Sequence, residues 1–466
     1  MELRGKKIVV MGLGVHGGGL GVARFCAEAG ADVVVTDLRP AELLAESLTA
    51  LADLPITYVL GAHRPSDFQQ CDIVVRNPAV PATSPFLAMA QAAGAQIEME
   101  MTLFFRLCPA PIIGITGTKG KTTTSTLTAF LLATWHPDTV LAGNMRISAL
   151  AQLAQITPTT LVVLELSSFV LEGLDVAGLS PAYAAITNIH PDHLDRYGSM
   201  ANYIAAKAAI GRHQQPHDTL LLHASDPVLQ DMAQTMPAHI YWSGISQPAN
   251  PHQGDTWWQE DVLYCATATG IEVVAQARDL RVTGEHNRAN VAMAVALARQ
   301  VGMPVDLIAP ALRRFDGVEH RQERVATING HTFINDTAAT MPDAAMVALA
   351  CMPKPIVWIA GGADKKLTFA ELAQSAAQHA HQIVLLEGTA TAALREALVD
   401  AGIADRIVGS FASFTQAVQV AHQIAPRPAT ILLSPGCASF GMFRNEFHRG
   451  EEFRAVVARL GTEEAV

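Results

Sequence analysis

Gly117-Thr118-Lys119-Gly120-Lys121-Thr122-Thr123 packs two glycines, two lysines and three threonines into seven residues. The apolar run Pro111-Ile112-Ile113-Gly114-Ile115-Thr116 precedes it, and a stretch suited to a helix follows from Ser125. Strand, glycine turn and helix N-terminus together form a phosphate cradle. Small residues let backbone N–H groups close on the anion, and the helix dipole favours negative charge. Lys121 would supply a point charge to the β- and γ-phosphates and Thr122 a hydroxyl for Mg²⁺. The complete P-loop pattern has a glycine six residues before the lysine, where this chain has Ile115. The segment reads as a nucleoside triphosphate site.

Other residue groups point to chemistry around it. Gly12-Leu13-Gly14-Val15-His16-Gly17 fits the Gly-x-Gly-x-x-Gly turn, and Asp37 stands where a ribose-binding acid belongs. Such a turn serves NAD(P) or any ligand carrying a pyrophosphate; a separate phosphate loop downstream favours a nucleotide-linked substrate. Glu165 closes an apolar run and suits Mg²⁺, which takes hard oxygens and few carboxylates. A capping glutamate at a strand-to-helix turn is the plain alternative. His190, Asp192, His193 and Asp195 share one loop, yet His-x-x-His off a helix lacks the geometry of a hydrolytic zinc centre. Lys207, by composition alone, is a surface lysine. His286, Asn287 and Asn290 start a helix with groups able to meet an adenine or a phosphate. In the last third, Asn335-Asp336-Thr337, Gly361-Gly362-Ala363-Asp364-Lys365 and Ser434-Pro435-Gly436-Cys437-Ala438-Ser439 each follow an apolar run. The carboxyl ends of strands are where open α/β sheets bind ligands.

The elements that must carry these groups alternate strand and helix patterns along the whole chain. Runs at 8–11, 33–35 and 73–75, then 161–166, 184–189 and 220–222, then 356–360, 383–386 and 431–433 suit buried parallel strands. The polar, tryptophan-bearing stretch 251–264 reads as an irregular excursion or an edge hairpin. Prolines near 109 and the Gly317-Val318-Glu319-His320-Arg321 segment mark two boundaries. The expected fold is α/β in three domains. These are a Rossmann-like domain over 1–108, a central P-loop-type ATPase domain with a mostly parallel sheet over 109–319, and a Rossmann-like domain over 320–466. Half of the 466 residues are hydrophobic, 16% are charged and the net charge is −11. That balance speaks against a protein that grips nucleic acid or an anionic membrane. Six scattered cysteines without Cys-x-x-Cys spacing read as reduced thiols of a cytoplasmic protein. No apolar run reaches the ~18 residues of a membrane helix, and the N-terminal apolar stretch is too short for a signal peptide.

The ordered set of motifs resembles the Mur ligases over essentially the whole chain. It comprises Gly117-Thr118-x-Gly120-Lys121-Thr122, Glu165-Leu166-Ser167-Ser168-Phe169, Asp192-His193-Leu194-Asp195-Arg196-Tyr197, Gly284-x-His286-Asn287-x-x-Asn290, His320-Arg321-x-Glu323, Asn335-Asp336 and Leu433-Ser434-Pro435-x-Cys437-Ala438-Ser439. Within that family the match is to the type that adds D-glutamate to UDP-N-acetylmuramoyl-L-alanine.

The resemblance implies ADP-forming amide synthesis through an acyl phosphate, in cytoplasmic peptidoglycan precursor synthesis. It implies ATP and two Mg²⁺ ions, and a monomer. ATP would be held by Gly117, Thr118, Lys119, Gly120, Lys121, Thr122, Thr123, His286, Asn287, Asn290, Arg321 and Asp336. The metal ligands would be Thr122, Glu165, His193 and Lys207, the last as a carbamate formed with CO₂; Lys121, His193 and Lys207 would be catalytic. Gly14, Val15, Asp37, Arg39, Asn77, Asn144 and His193 would hold the UDP-linked substrate. Thr340, Lys365, Ser439 and Phe440 would hold the amino acid. The loops near 109 and 320 imply a C-terminal domain that closes on ATP and substrate.

Three departures from the type cluster at the amino-acid and muramoyl ends. Ala338 stands where the Asn-Asp-Ser-Lys-Ala-Thr run has its lysine, Glu446 where an aromatic residue follows Phe-x-Asn, and Met145-Arg146 where Ile-Gly follows Gly-Asn. An acid at 446 repels a glutamate side chain unless Phe447 takes over the contact. A sister ligase adding another amino acid, such as L-glutamate, therefore stays open. From other classes, a non-catalytic UDP-sugar-binding partner and an NAD(P)-dependent oxidoreductase stay open too. Folylpolyglutamate synthases share the ATP-site motifs but lack a nucleotide-binding domain ahead of the phosphate loop, so residues 1–108 count against them.

Overall fold

The computed structural model describes residues 1–14, 18–143 and 148–463. Val15 and Asn144, expected on the UDP-substrate side, lie outside the described residues, as do Met145 and Arg146. The chain has an N-terminal, a central and a C-terminal sheet, and each is mostly parallel.

In the N-terminal sheet, β1 (Lys7–Met11), β2 (Asp32–Asp37), β3 (Ile56–Leu60), β4 (Ile73–Arg76) and β5 (Gln96–Glu98) run parallel in the order β3-β2-β1-β4-β5. Their Val/Ile runs are buried on both faces, with Val9, Val34 and Val74 packing on one side and Val10, Val33 and Val75 on the other. That is why they read as unbroken apolar runs rather than alternating ones. The chain reverses direction across the sheet between β1 and β4, which makes a switch-point crevice at their carboxyl ends.

The central sheet comprises β6 (Ile112–Thr116), β7 (Thr139–Gly143), β8 (Leu161–Glu165), β9 (Tyr183–Ile186), β10 (Thr219–His223), β11 (His239–Gly244), β12 (Thr256–Gln259), β13 (Val262–Thr267) and β14 (Gly270–Gln276). Its order is β14-β13-β12-β11-β10-β9-β6-β8-β7. Stretch 251–264 is the edge-hairpin alternative rather than the irregular one. The β12–β13 hairpin is antiparallel and extends through β14, because Trp257 and Trp258 bury their rings against the sheet. The helices Lys121–Trp135 and Glu285–Val301 pack on each other. The second of these buries every residue from Val291 to Ala298, as an interior helix must.

The C-terminal sheet is built of β15 (Glu323–Ile328), β16 (His331–Asn335), β17 (Ile356–Gly361), β18 (Ala380–Leu386), β19 (Ile407–Phe411) and β20 (Ala429–Leu433), in the order β15-β16-β20-β17-β18-β19. Only the edge strand β15 pairs antiparallel. By compactness the chain forms two units, 1–280 with 285–313, and 281–284 with 314–466. Among the described residues no helix is long and apolar enough to cross a membrane. All six cysteines are free thiols.

Candidate active site

β6 delivers the chain to the phosphate loop, and the helix Lys121–Trp135 starts directly behind Gly120. Gly117 and Gly120 have φ of 147° and 81°. A Cβ on Gly117 would collide with Thr187 Oγ1 and one on Gly120 with Asn290 Oδ1, so glycine is required by space as well as by conformation. The loop is held from behind by the segment after β9. Thr118 N–H donates to the Asn188 carbonyl (2.9 Å) and Lys119 N–H to Asn188 Oδ1 (2.9 Å). His190 N–H donates to Thr118 Oγ1 (3.0 Å). Thr187, whose hydroxyl donates to the Lys119 carbonyl, and Asn188 thus support the loop, a role that nothing in their spacing marks for a segment some 70 residues earlier.

Two lysines converge on this loop. Lys121 Nζ donates to the carbonyls of Gly117 and Thr118, both at 3.0 Å, and Lys207 Nζ donates to the same Gly117 carbonyl at 2.8 Å. Lys207 is 1% exposed, which corrects the surface-lysine reading. It shares one face of the helix Met200–Arg212 with buried Tyr203, whose ring lies 4.9 Å beneath its ammonium. Burial, and second the neighbouring charge of Lys121, pull its pKa down to about 7 against the pull of Asp192. A neutral amine is therefore available to Lys207 near neutral pH.

Glu165 ends β8 one strand from the loop, in register with Ile115, and is buried. His193 caps the short helix Leu194–Tyr197 in the left-handed region (φ 51°), with its ring edge-on to Phe169 at 5.1 Å. Its side chain remains half exposed. Among the described residues no three His, Cys, Asp or Glu side chains gather tightly enough to hold a metal by themselves. One buried carboxylate with Thr122 at the start of the helix suits Mg²⁺ all the same, because Mg²⁺ is held by one or two protein oxygens and completes its shell with phosphate oxygens and water. Asn287 and Asn290 are buried and His286 is exposed. Asn290 Oδ1 accepts from Thr124 Oγ1 at 3.3 Å, which places this residue against the loop and the first turn of its helix.

At the N-terminal crevice, Asp37 at the end of β2 accepts from Gly14 N–H (3.2 Å) and Arg39 N–H (2.9 Å). Arg39 Nε lies 3.8 Å from the same carboxylate. Asn77 follows β4 with its N–H on the Met11 carbonyl (2.9 Å). The structure thus gathers Gly14, Asp37, Arg39 and Asn77 at the carboxyl ends of β1, β2 and β4.

In the C-terminal unit three loops are tied together at the carboxyl end of the sheet. Ala363 and Ala438 exchange backbone hydrogen bonds (2.8 and 3.2 Å), and Gly436 N–H donates to the Ala339 carbonyl (2.9 Å). These ties bring the loops of Thr340, Lys365, Ser439 and Phe440 together. Ser439 is 2% exposed, and its hydroxyl has no hydrogen-bond partner among the described residues, whereas Phe440 is 61% exposed. Asp336 accepts from Ser434 Oγ (2.6 Å) and Gln322 N–H (3.1 Å), and burial pushes its pKa up to about 7. Arg321 is exposed between two left-handed residues, His320 (φ 65°) and Gln322 (φ 48°). Arg449, from the helix Glu446–Glu463, was not anticipated. It is fully buried and donates to Thr337 Oγ1 and the Thr337 carbonyl (both 2.9 Å) and to the Cys437 carbonyl (3.3 Å). It thereby joins two of the three loops. Next to the Glu446 departure, Thr337 Oγ1 donates to the Glu446 carbonyl (2.7 Å), and the Phe447 ring stands edge-on to His320 at 5.6 Å.

The chain is similar to known proteins along its whole length. The MurD-like N-terminal domain of Mur ligases matches residues 6–98, the Mur ligase middle domain 115–298, and the Mur ligase glutamate ligase domain 320–437. A protein of Roseiflexus sp. (strain RS-1) named UDP-N-acetylmuramoylalanine--D-glutamate ligase is 53% identical, over 98% of this chain and 99% of its own length. One of the same name from Treponema pallidum (strain Nichols) is 35% identical, over 98% of both. Among solved structures, the UDP-N-acetylmuramate-alanine ligase MurC of Thermotoga maritima shares the fold at a TM-score of 0.62 and 21% identity, covering 98% of this chain and 100% of that one. MurF of Acinetobacter baumannii does so at 0.59 and 18%, covering 98% and 91%. With three family models matched in order along it and full-length relatives at 53% and 35% identity, the chain belongs to the Mur ligase family.

Proposed function

We propose that this Mur ligase joins D-glutamate to the L-alanyl carboxylate of UDP-N-acetylmuramoyl-L-alanine, with ATP cleaved to ADP and phosphate, in peptidoglycan precursor synthesis. The observation that carries the chemistry is the pair Lys121 and Lys207 converging on the Gly117 carbonyl inside a phosphate loop. The full-length relatives named for D-glutamate addition carry the choice of amino acid.

In the first step a carboxylate oxygen of the substrate attacks the γ-phosphorus and the bond to the β,γ-bridging oxygen breaks, leaving ADP and an acyl phosphate. Two anions must meet, so the demand on the protein is alignment and charge neutralisation. Lys121 and the N–H groups of 117–123 meet that demand on the nucleotide side, with Asn287 and Asn290 behind the loop and His286 at the helix start. Mg²⁺, held by Thr122 and Glu165 and at a second position by His193 and a carbamate on Lys207, would supply Lewis-acid neutralisation of the phosphate oxygens. Arg321 and Asp336 are proposed for the nucleotide's phosphates and ribose. In the second step the amine attacks the acyl carbon, a C–N bond forms, the C–O bond to phosphate breaks and the amine sheds a proton. Lys365, Thr340 and Ser439 are proposed for the carboxylates of the incoming amino acid, and the unpartnered Ser439 hydroxyl supports this. Gly14, Asp37, Arg39 and Asn77 are proposed for the uridine diphosphate end.

The test is phosphate release with ATP, Mg²⁺ and UDP-N-acetylmuramoyl-L-alanine, offering D-glutamate, L-glutamate, D-aspartate or meso-diaminopimelate singly and weighing the product. Turnover with D-glutamate and a product heavier by one glutamyl residue is expected. Turnover confined to another amino acid would reassign the substrate.

A further inference from the structure

Arg76 closes β4 at the switch point, in register with Met11 of β1. It is 8% exposed. A guanidinium carries five N–H donors; among the described residues one of them is used, Nη1 to the Val80 carbonyl at 2.9 Å. No carboxylate of the described residues forms an ion pair with it. Glu172 of the central domain, which Arg76 feels electrostatically, is already engaged by Arg196 at 2.9 Å. Arg196 in turn lies over the Phe169 ring at 4.5 Å. The seam between the N-terminal and central sheets thus holds two guanidinium groups and one carboxylate. Burying a cation without a partner is expensive unless another group neutralises it. The seam carries more positive than negative charge, which favours an anion there.

Its chemistry follows from position. The turn that takes the Arg76 hydrogen bond is the turn that presents Asn77: Val80 N–H donates to the Asn77 carbonyl (2.9 Å) and Ala79 N–H to Asn77 Oδ1 (3.0 Å). Asn77 itself lies so close to the glycine turn that a Cβ on Gly12 would stand 2.9 Å from its own. Arg76 therefore braces the turn that faces Gly12 and Gly14 at the carboxyl end of β1. That is the setting in which α/β sheets receive a dinucleotide or nucleoside diphosphate. A planar guanidinium fork fits two phosphate oxygens at once, which a lysine cannot do. We propose that Arg76 grips the diphosphate of the UDP-linked substrate and is a specificity-determining residue for it. The assignment rests on the substrate reading above, and it adds a buried cation to a crevice otherwise made of backbone N–H groups, Asp37, Arg39 and Asn77.

Titration calorimetry of the full chain with UDP, UMP and uridine tests it, on the wild type and on Arg76→Gln and Arg76→Lys. Glutamine keeps a polar N–H donor but carries no charge. UDP binding is expected to weaken at least about tenfold in Arg76→Gln, UMP by less, and uridine not at all. Arg76→Lys should fall between and carries the test if the glutamine variant does not fold. Equal weakening of all three ligands would make Arg76 a mere anchor of the 77–80 turn and overturn the proposal. So would unchanged UDP affinity, including the case where only the KM for the complete substrate rises. A wild type that releases phosphate with the UDP-muramoyl substrate, while Arg76→Gln behaves identically, overturns this proposal alone. A wild type that binds no UDP overturns it together with the substrate reading.

Discussion

Lys207 at the phosphate loop and Asp336 at the C-terminal sheet are both buried ionisable groups with a pKa near 7, reached from opposite directions. Lys207 is brought down by burial and then by Lys121; Asp336 is raised by burial against the pull of Ser434, Gln322 N–H, Arg321 and Arg449. The surroundings differ as much as the signs. Lys207 faces a carbonyl it shares with a second lysine, an arrangement that makes sense for a site awaiting anions. Asp336 faces hydroxyl and amide donors, and the nearby cation, Arg449, is itself occupied with carbonyls. The central site brings two lysines onto one carbonyl. The C-terminal face is a framework in which Asp336, Thr337 and Arg449 satisfy one another or the backbone, with the Ser439 hydroxyl and the Gln322 amide oxygen left over among the described residues. On the function proposed above, chemistry depends on the first and selection of the amino acid on the second.

Variants can break that contrast. The largest effect is expected for Lys121→Ala, with turnover falling by about 10³-fold or more while thermal unfolding stays near that of the wild type; steady-state rates beside calorimetry check both halves. Arg449→Met should act the other way, destabilising the C-terminal unit by roughly 3–5 kcal/mol because it strips the donors from Thr337 and Cys437. Denaturant titration reads this, and ATP binding to the phosphate loop should survive in the folded fraction.

Lys207→Ala should lower turnover about 10²-fold. In the wild type the rate should rise with pH through about 7, as the amine that forms a carbamate becomes neutral. Stability should move with pH in opposite senses at the two groups. Between pH 7 and 10.5 the unfolded chain holds a proton on Lys207 that the folded chain has lost, so folding is favoured as pH rises through that window. Between 3.8 and 7 the folded chain keeps a proton on Asp336 that the unfolded chain has lost, so that contribution is full below 3.8 and fades as pH rises to 7. Asp336→Asn should flatten the second slope and leave the first intact. The smallest effect is expected for restoring Ala338→Lys and Glu446→Phe, with the KM for D-glutamate changing by less than about tenfold and the KM for ATP unchanged.

The parallel strands were legible because burial on both faces leaves unbroken Val/Ile runs such as Val33-Val34-Val35. The phosphate loop was legible because its glycines and lysines are demanded by the ligand. Lys207 was not, since the alanines at 205, 206 and 208 give its helix no marked apolar stripe to show which face turns inward. Arg449 was hidden among the charges of its helix, with Glu451, Glu452 and Arg454 close by. Thr187 and Asn188 act through side-chain bonds to the Lys119 backbone, which no residue pattern encodes. Arg76 carried no mark in its residue pattern; its significance lies in burial without an ion-pair partner among the described residues.

The central claim is that the lysine-lined phosphate loop makes an acyl phosphate before the amino acid is joined. It is tested most directly by labelling both oxygens of the substrate's L-alanyl carboxylate with ¹⁸O and weighing the phosphate released in the presence of D-glutamate. The account predicts one ¹⁸O in each phosphate and one retained in the new amide. Phosphate free of label, with the amide formed all the same, would contradict it.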